Sequence, residues 1–539
     1  MAKQMFTYQT RLTVTPAQDA MLSRLAALYS RVERHLFVAQ QQGKLTQNEL
    51  KQTYQTRFGL NSRYFNSINE SIRGKILAIQ ELKALHVSEL QSKIAALKKQ
   101  LKKLSTQPVT SAHRFAWHHK NRRLIHLERK LTVVKKSQDS ERVSLCFGSK
   151  KLFRQQFQLA KNGFDSHAAW LAAWQQARNN QFLLVGAGCE TACNQNCQIS
   201  AQDETHYALK ITLPASLIGE QGKQLHLTDI RFPYGDAVIR AAMDSSQRIA
   251  TVSNTGKPIS KLTGTPITYR FLKDDTSWRL LVTVGQTPLP SQTSVLAGAM
   301  GIDVNVDHLA LAETDRFGNL IDAARLPLVT YGKSTNQSRA LIGDAAKHIA
   351  LRAQAAGKPV VIEKLDFKRK KAELETDNAA RARCLSSFAY GKILSSIKAA
   401  CFRAGVVVIE VNPAYTSVIG AVNYAQKKGI SVHMAAAFAI ARRGMRLSEL
   451  PPTRQVCVPT RNGDHVTFVL PVRDNTKHVW STWSKIRTAL NTAHVAHFRR
   501  GERSSSPPPL REHPSLRAVW KSQVNRTQIC PECVLDIPF

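Results

Sequence analysis

The stretch Met300-Gly301-Ile302-Asp303-Val304-Asn305, followed at once by Asp307-His308-Leu309-Ala310-Leu311-Ala312, limits what this chain can fold into more than any other. Its apolar run reads as a buried strand. The strand sets a carboxylate at Asp303, and a second strand follows. Lys358-Pro359-Val360-Val361-Ile362-Glu363 repeats the design further on, another apolar strand ending in a carboxylate. Later still, Ser431-Val432-His433 opens a helix, with Ser431 as N-cap and His433 in the first turn. A carboxylate at a buried strand end costs free energy unless a cation or hydrogen-bond donors meet it. Strand-end acids that merely face water are the alternative, and the spacing of the three positions favours a shared site.

The surrounding segments give these residues a domain. Strands are predicted at 298–305, 308–314 and 319–328, with a helix at 335–356 stopped by Gly357-Lys358-Pro359. A strand at 359–364, a basic helical region at 368–404, a strand at 406–411 and a helix at 431–444 complete it. The order βββ-α-β-α-β-α is that of an RNase H-like core. Two acids on neighbouring strands plus a polar group on a late helix is the layout of a polynucleotidyl hydrolase of that class. Such sites gather two Mg2+ ions, one to activate water and one to stabilise the leaving oxygen. The predicted catalytic and metal-binding residues are therefore Asp303, Glu363 and His433. The third position is a carboxylate in the usual version. An imidazole there removes one negative charge, and Mg2+ prefers oxygen ligands where Mn2+ tolerates nitrogen better. His433 reads either as a poor ligand for a second ion or as the base that activates water. Asp307 and Glu410 are reserve carboxylates. Asp307 shares the face of Asp303 only if the strand continues past Asn305.

Length and charge name the class of partner. The 539 residues should hold about two to four domains, and 43% of them are apolar, enough for real cores. Net charge is +38, from 76 Lys+Arg against 38 Asp+Glu, spread over the whole chain. That excess implies a polyanionic partner, with nucleic acid first. A very basic ribosome-like or secreted protein is the other reading. No run of apolar residues is long enough to span a bilayer. Met1-Ala2-Lys3-Gln4-Met5 does not read as a signal peptide. Scattered cysteines fit a reducing compartment. The expected location is the cytoplasm, at the nucleoid.

Before that domain, residues 6–14 alternate as a strand, and Pro16 to Gln40 reads as an amphipathic helix. Residues 44–87 look mostly helical. Leu90, Ile94, Leu97, Leu101 and Leu104 then form one heptad stripe, and Leu124, Leu127, Leu131 and Val134 a second. Ser105 to Ala112 breaks the two, which predicts an antiparallel helical hairpin. Its outer faces carry Lys98, Lys99, Lys102, Lys103, Lys120, Arg122 and Arg123. So one-signed a face repels itself unless something anionic lies on it, so these residues are predicted to bind nucleic acid. Lys150, Lys151, Lys368, Arg369 and Lys370 are predicted to do the same. From 142 to 290 the character turns to β, with strands at 209–213, 225–232, 267–272 and 278–284. With the strand at 6–14 these could close a small barrel, the helical part being an insertion in it. Beyond 450 come a strand near 465–472 and a helix bearing Val479, Trp483, Ile486 and Leu490. Trp480 and Trp483 read as core by periodicity, with base stacking as the alternative. Ser504 to Pro509 is a linker.

Seven motifs together resemble the TnpB (OrfB) family of insertion-sequence proteins, in particular its longer branch. They are Arg231-Phe232-Pro233-Tyr234-Gly235, Gly301-Ile302-Asp303-Val304-Asn305, Tyr331-Gly332-Lys333, Ile362-Glu363-Lys364-Leu365-Asp366-Phe367, Leu385-Ser386-Ser387-Phe388-Ala389-Tyr390, Val411-Asn412-Pro413-Ala414-Tyr415-Thr416-Ser417 and Ser431-Val432-His433-Met434-Ala435-Ala436-Ala437. The resemblance covers roughly 1–500 of the sequence and is similar in kind to that of type V CRISPR effectors. It implies a multidomain α/β and α+β chain. In it, 1–14 and 142–290 make a WED-like β-barrel, and 15–141 a helical REC-like insertion. Residues 291–450 make a RuvC-like (RNase H-like) nuclease domain, 451–503 a strand-helix extension, and 504–539 a flexible tail. It also implies an RNA-guided DNA endonuclease with a guide-like RNA, a double-stranded DNA target, and Mg2+ or Mn2+. In such systems base pairing reads the target while the protein reads a short flanking motif and backbone shape. Two departures stand out. Family members follow Thr-Ser with a Cys-x-x-Cys pair of a zinc ribbon, whereas the stretch Val418 to Gly429 that follows Thr416-Ser417 here has no cysteine. The usual Asp of the last motif is His433.

The remaining cysteine pattern, Cys189, Cys193 and Cys197 with Cys530 and Cys533, is tempting as a metal site. Zinc sites more often use two-residue spacing and no His sits at the usual interval, so chance clustering weighs above zinc. The segment 190–197 looks instead like a family turn in which Asn194 and Gln195 matter more than sulfur. Three functions stay in competition: an RNA-guided nuclease, a nuclease-deficient RNA-guided DNA-binding protein, and a transposase acting without RNA. The last is weakest, since no His-hydrophobic-His motif with a paired tyrosine is present. Oligomeric state is not legible in the sequence.

Overall fold

In a computed structural model the described residues are 4–106, 110–140, 143–219, 222–252, 258–287, 289–364, 390–453, 455–460 and 463–501. The chain divides into two compact units, Met1–Thr287 and Pro288–Ile537. No described helix is long and apolar enough to cross a membrane.

The first unit opens with β1 (Gln4–Leu12) and α1 (Pro16–Gln42). Thr15 and Gln18 form a capping box that starts α1, with Pro16 in its first turn, and Gly43 at φ 64° ends it. After α2 (Gln47–Phe58) come the two long helices α3 (Ser62–Ser105) and α4 (Ser111–Asp139). The first turns of α3 bury Tyr64, Phe65, Ile68 and Ile72 in the unit's main core. Its far half pairs with α4 through Ile94, Leu97 and Leu101 against Leu124, Leu127 and Leu131, the predicted seam. Where sequence alternation predicted β structure from 142 onward, two helices come first, α5 (Lys150–Gln155) and α6 (His167–Arg178). Trp170, Trp174 and Arg178, one turn apart, carry that helical signal.

Strands then follow as β2 (Gln181–Leu184), β3 (Cys197–Ala201), β4 (Tyr207–Thr212) and β5 (Gln224–Ile230). Helix α7 (Asp236–Asp244) leads into β6 (Gln247–Val252), β7 (Pro258–Thr263), β8 (Ile267–Lys273) and β9 (Trp278–Gln286). Strand β1 pairs antiparallel along its whole length with β9, so the helices lie between two strands of one sheet. That sheet has the order β1-β9-β8-β2; β3-β4-β5 form a second sheet and β6-β7 a ribbon. Among the described residues no ladder joins them into the expected closed barrel. Both larger sheets nevertheless feed one core. The Asn194 side chain, 1% exposed, ties them together. Its amide donates to the carbonyls of Leu184 (3.0 Å) and Ile267 (2.9 Å), and its oxygen accepts from the N–H groups of Asn196 and Cys197, both at 3.1 Å. Cys193 and Cys197 are buried beside it and Cys189 is exposed; Cys530 and Cys533 lie outside the described residues.

The second unit begins with β10 (Met300–Val304), β11 (His308–Thr314), β12 (Leu320–Pro327) and α8 (Thr335–Ala355). Strand β13 (Val360–Glu363) follows, then α9 (Tyr390–Arg403) and β14 (Val408–Val411). Of the basic region predicted as helix at 368–404, residues 368–389 lie outside the described residues. Helix α10 (Thr416–Ile419) runs on through a π turn (Gly420–Ala425) into Gln426–Lys428, and α11 (Val432–Gly444) comes next. A ribbon of β15 (Gln455–Pro459) and β16 (His465–Val469) and the long α12 (Val479–Gly501) end the described chain. Trp483 of α12 is core, and Trp480 is partly exposed with its ring edge-on to Tyr415.

The sheet order is β12-β11-β10-β13-β14. The first three strands run antiparallel and the last three parallel. Side chains alternate across it. Met300, Ile302, Val360 and Ile362 face α8 and α9, packing with Ile342, Ile349, Ile393 and Ile397. Val361, Ala310 and Ala312 face α11, packing with Ile440, Ala441, Ala437 and Phe438. Gly301 lies on that second face. A Cβ there would stand 2.0 Å from the Ala437 carbonyl oxygen and 2.6 Å from the Ala441 nitrogen. Helix backbone cannot yield to such an intruder as a side-chain tip can. We expect Gly301→Val to destabilise the second unit by about 3 kcal/mol, read as a lower denaturant midpoint by circular dichroism. An unchanged midpoint would show that α11 can lift off the sheet.

Candidate active site

Strand register brings the two predicted acids together. In the parallel pair β10/β13, Ile302 stands opposite Ile362. Asp303 and Glu363 are the next residue on each strand, so both project on the α11 face at the carboxyl ends of neighbouring strands. Ser431 caps α11 by accepting from Met434 N–H at 3.2 Å, which fixes the first turn carrying His433. His433 Nδ1 lies 3.4 Å from Asp303 Oδ2. The same carboxylate oxygen accepts from Asn305 Nδ2 at 3.0 Å. Asp303 is 9% exposed, and among the described residues no Lys or Arg stands within ion-pair distance of it. Glu363 accepts from the buried Thr416 hydroxyl at the start of α10.

Three neighbours set the electrostatics. The Tyr390 phenol donates to the Val304 carbonyl. Burial pushes its pKa well up, and the Asp303 and Glu363 carboxylates push it further, so it stays protonated and both acids lie within its electrostatic reach. Burial pulls Arg443 down from the usual guanidinium range, while the carboxylates of Glu363 and Glu449 oppose the shift. Its guanidinium donates to the carbonyls of Asn412 and Ala414, the latter at 2.9 Å, which pins the loop before Thr416. His308 is 5% exposed and meets His433 edge to face, ring centroids 5.0 Å apart. Its Nδ1 lies 2.7 Å from Asp307 Oδ1.

The reserve carboxylates do not join. The chain turns at Asn305–Asp307, with Asn305 N–H donating to the His308 carbonyl at 2.9 Å, so Asp307 leaves the strand. It pairs with His308 and, at 2.8 Å, with Arg325. Glu410 stands opposite Ile362, on the α8/α9 face, and pairs with Lys398 at 2.6 Å. Thr416, Tyr390 and His308 were not picked out as site residues from sequence. Thr416 and Tyr390 do sit in motifs already noted, and alternation along β11 puts His308 on the same face as Ala310.

Among the described residues no group of three or more His, Cys, Asp and Glu side chains is placed to hold a metal ion. Asp303 and Glu363 by themselves suit one hard divalent cation completed by water. A buried carboxylate without a Lys or Arg partner among the described residues is what such an ion would neutralise. A second ion would need a third carboxylate, and His433 does not supply it.

The predicted nucleic-acid residues divide. Lys98 spans the hairpin to Glu128 at 2.9 Å and Lys120 to Gln100 at 2.8 Å, whereas Lys99, Lys102, Arg122, Arg123, Lys150 and Lys151 are exposed. The Lys103 side chain and Lys368, Arg369 and Lys370 lie outside the described residues.

No protein-family model matches the chain, and no curated protein matches it in sequence. Among solved structures the chain is similar to T. thermophilus RuvC in complex with a Holliday junction substrate. That match has 18% identity over 26% of this chain and 88% of that one, with a TM-score of 0.20. It is also similar to a CRISPR-Cas12f ternary complex, with 11% identity over 81% of this chain and 98% of that one and a TM-score of 0.20. At such scores the chemistry of the site rests on its own geometry.

Burial holds the His308 pKa below its ordinary value, although Asp307 opposes this. The unfolded chain therefore binds this proton more readily than the folded one. The stability involved is present above the ordinary histidine pKa and is lost as pH falls through it. We expect the denaturant midpoint to drop from about pH 7.5 to about pH 5.5, and His308→Gln to make that slope shallower. An unaltered slope in the variant would show that His308 takes up its proton without cost.

Proposed function

We propose that the chain is an RNA-guided, DNA-targeting protein of the TnpB-like, insertion-sequence type. In this reading its second unit is an RNase H-like (RuvC-like) nuclease domain with a reduced metal site. The observation that carries the reading is the placement of Asp303 and Glu363 side by side on parallel strands, beneath the helix start that bears His433. The order β12-β11-β10-β13-β14, with β11 the antiparallel member beside β10, supports it, since an RNase H-like sheet has that order. The +38 charge fits a chain that holds both an RNA and a DNA target.

A divalent ion, when bound by Asp303 and Glu363, would supply Lewis acidity toward a phosphodiester oxygen and a more acidic water. The chain's own residues do the rest. Thr416 orients Glu363 by donating to it, and Tyr390 ties the α9 start to the end of β10. Asn305 donates to Asp303, leaving lone pairs for a cation. His433 brings an imidazole where a third acid would add negative charge. Close to Asp303, it can accept a proton from water or occupy the carboxylate itself. The second role favours a nuclease-deficient, RNA-guided DNA-binding protein, because Asp303 then has a partner without metal.

Purification from low-salt extract followed by RNA sequencing is the first test: a structured RNA should co-purify and dissociate steeply with salt. Stable protein free of nucleic acid would count against the reading. Asp303→Ala should abolish cleavage of target DNA while RNA and DNA affinity change less than about threefold; collapse of binding in a folded variant would make Asp303 structural. His433→Asp should raise Mg2+-dependent cleavage about tenfold or more. Efficient Mg2+-dependent cutting by the unmodified chain, lost in His433→Asp, would instead establish His433 as the base.

A further inference from the structure

The first unit contains a cavity of about 500 Å3 that lies away from every motif discussed above. Helices α1 and α3, the segment 145–148, the end of α6 and strands β2 and β8 enclose it. Its size suits a drug-sized or nucleotide-sized ligand and far exceeds a bare phosphate. Two acids line it. Glu33 is nearly fully buried and already engaged, with Lys75 at 2.5 Å and Ser71 at 2.6 Å. Glu70 sits at the exposed rim, 3.5 Å from Arg73.

Two further cations line the cavity, and among the described residues neither has an acidic partner. Arg270 is exposed and, among the described residues, meets the neutral Gln181 amide, its Nε donating to Oε1 at 3.1 Å. The Arg178 guanidinium carbon lies over the Trp174 ring, 4.0 Å from its centroid. Trp174 in turn stacks on the buried Trp170 at 5.2 Å. Arg178 Nε and Trp174 Nε1 are buried without a hydrogen-bond partner. Gly148, at φ 92°, lets the chain pass directly against both side chains, since a Cβ there would meet Arg178 Cγ at 3.1 Å. Arg34 stands close by, and burial and the Arg178 charge both lower its pKa. The cavity thus gathers positive charge that its own acids leave unpaired. Beside it stands the half-buried ring of Phe147, with Lys75 at 5.4 Å from its centroid. A stacked, pre-oriented guanidinium, a second arginine and an aromatic wall call for a ligand with an anionic group on a flat ring.

We propose that this cavity binds a single unstacked nucleotide, its phosphate on Arg178 and Arg270 and its base against the wall formed by Phe147. Glu33, which lines the cavity, offers a carboxylate acceptor to base N–H groups. The nucleotide is either one unit of a bound RNA or a free mononucleotide. Only the first source rests on the RNA-guided reading.

The test uses the full chain stripped of nucleic acid in high salt. Calorimetric titration compares the four ribonucleoside 5′-monophosphates with the matching nucleosides. In parallel, single-stranded RNA carrying 4-thiouridine is photo-crosslinked and the modified peptides are mapped by mass spectrometry. We expect one-to-one binding of a monophosphate, weaker by about tenfold or more for its nucleoside and for Arg178→Gln and Arg270→Gln. Arg178→Lys should restore part of the loss, and thermal unfolding midpoints should stay unchanged. Crosslinks at 145–148 would make bound RNA the source. Monophosphate binding without RNA crosslinks there would leave the cavity proposal standing, with a free nucleotide as ligand. Co-purified RNA whose affinity ignores both arginine variants, with no monophosphate binding, would overturn the cavity proposal and leave the RNA-guided reading intact. Binding of a polyglutamate peptide in place of the nucleotide would overturn it too, as would no binding of any probe.

Discussion

Helix α11 lies against the sheet closer than side chains ordinarily allow, and the candidate site depends on that approach. Gly301 has no Cβ, and Ala437 and Ala441 are small, so helix backbone rests almost on strand backbone. Alternation then does the positioning. Once Gly301 and Val361 face the helix, Asp303 and Glu363 must face it too, one pleat further along each parallel strand. The helix start, capped by Ser431, stands above those strand ends and delivers His433 to Asp303. A bulkier residue at 301 would disturb the chemistry without touching it.

The same logic explains what the sequence made legible. Apolar runs ending in an acid were readable because burial and charge conflict at one residue, and such conflicts point to a partner. The heptad stripes of α3 and α4 were readable because their period fixes a face. Asp307 was less readable. Whether it shares a face with Asp303 turns on a three-residue loop, and the loop turns. Glu410, held in reserve, sits opposite Ile362 on the edge strand β14, on the face away from α11, and ends up in a surface ion pair. The helices α5 and α6 were missed because the β-rich residues after them dominated the reading of 142–290. The closed barrel was expected from the strands, yet among the described residues the two sheets are joined through a buried side chain, Asn194, and a shared core rather than by a ladder. One asparagine in a run without regular period carries no such signal.

The stretch after Thr416 is held by apolar packing. Here Val418, Ile419, Ala421 and Val422 continue a helix through a π turn, and they bury against Val456, Val458, Phe468, Trp483 and Ile486 of the C-terminal extension. Gly420 makes room for this: a Cβ there would stand 2.5 Å from the backbone of Ala435 and Ala436. The segment that positions Thr416, and through it Glu363, is therefore held by apolar burial.

Charge is the quantity in which the two functional readings differ. Two carboxylates at neighbouring strand ends repel each other, and a divalent ion would relieve that repulsion. A third carboxylate would make room for a second ion; an imidazole does not, and near Asp303 it offers a hydrogen bond in place of a cation. The surrounding groups leave the balance fine. Tyr390 is held protonated by its burial and by the two acids, so it adds no charge. Arg443 spends its donors on the carbonyls of the Asn412–Ala414 loop while its charge still reaches Glu363. The two acids thus stand among a phenol, a threonine hydroxyl, an asparagine amide and an imidazole, with one guanidinium charge further off. Strand register, close packing of α11 on the sheet and the Thr416 hydroxyl hold the two acids in place by themselves.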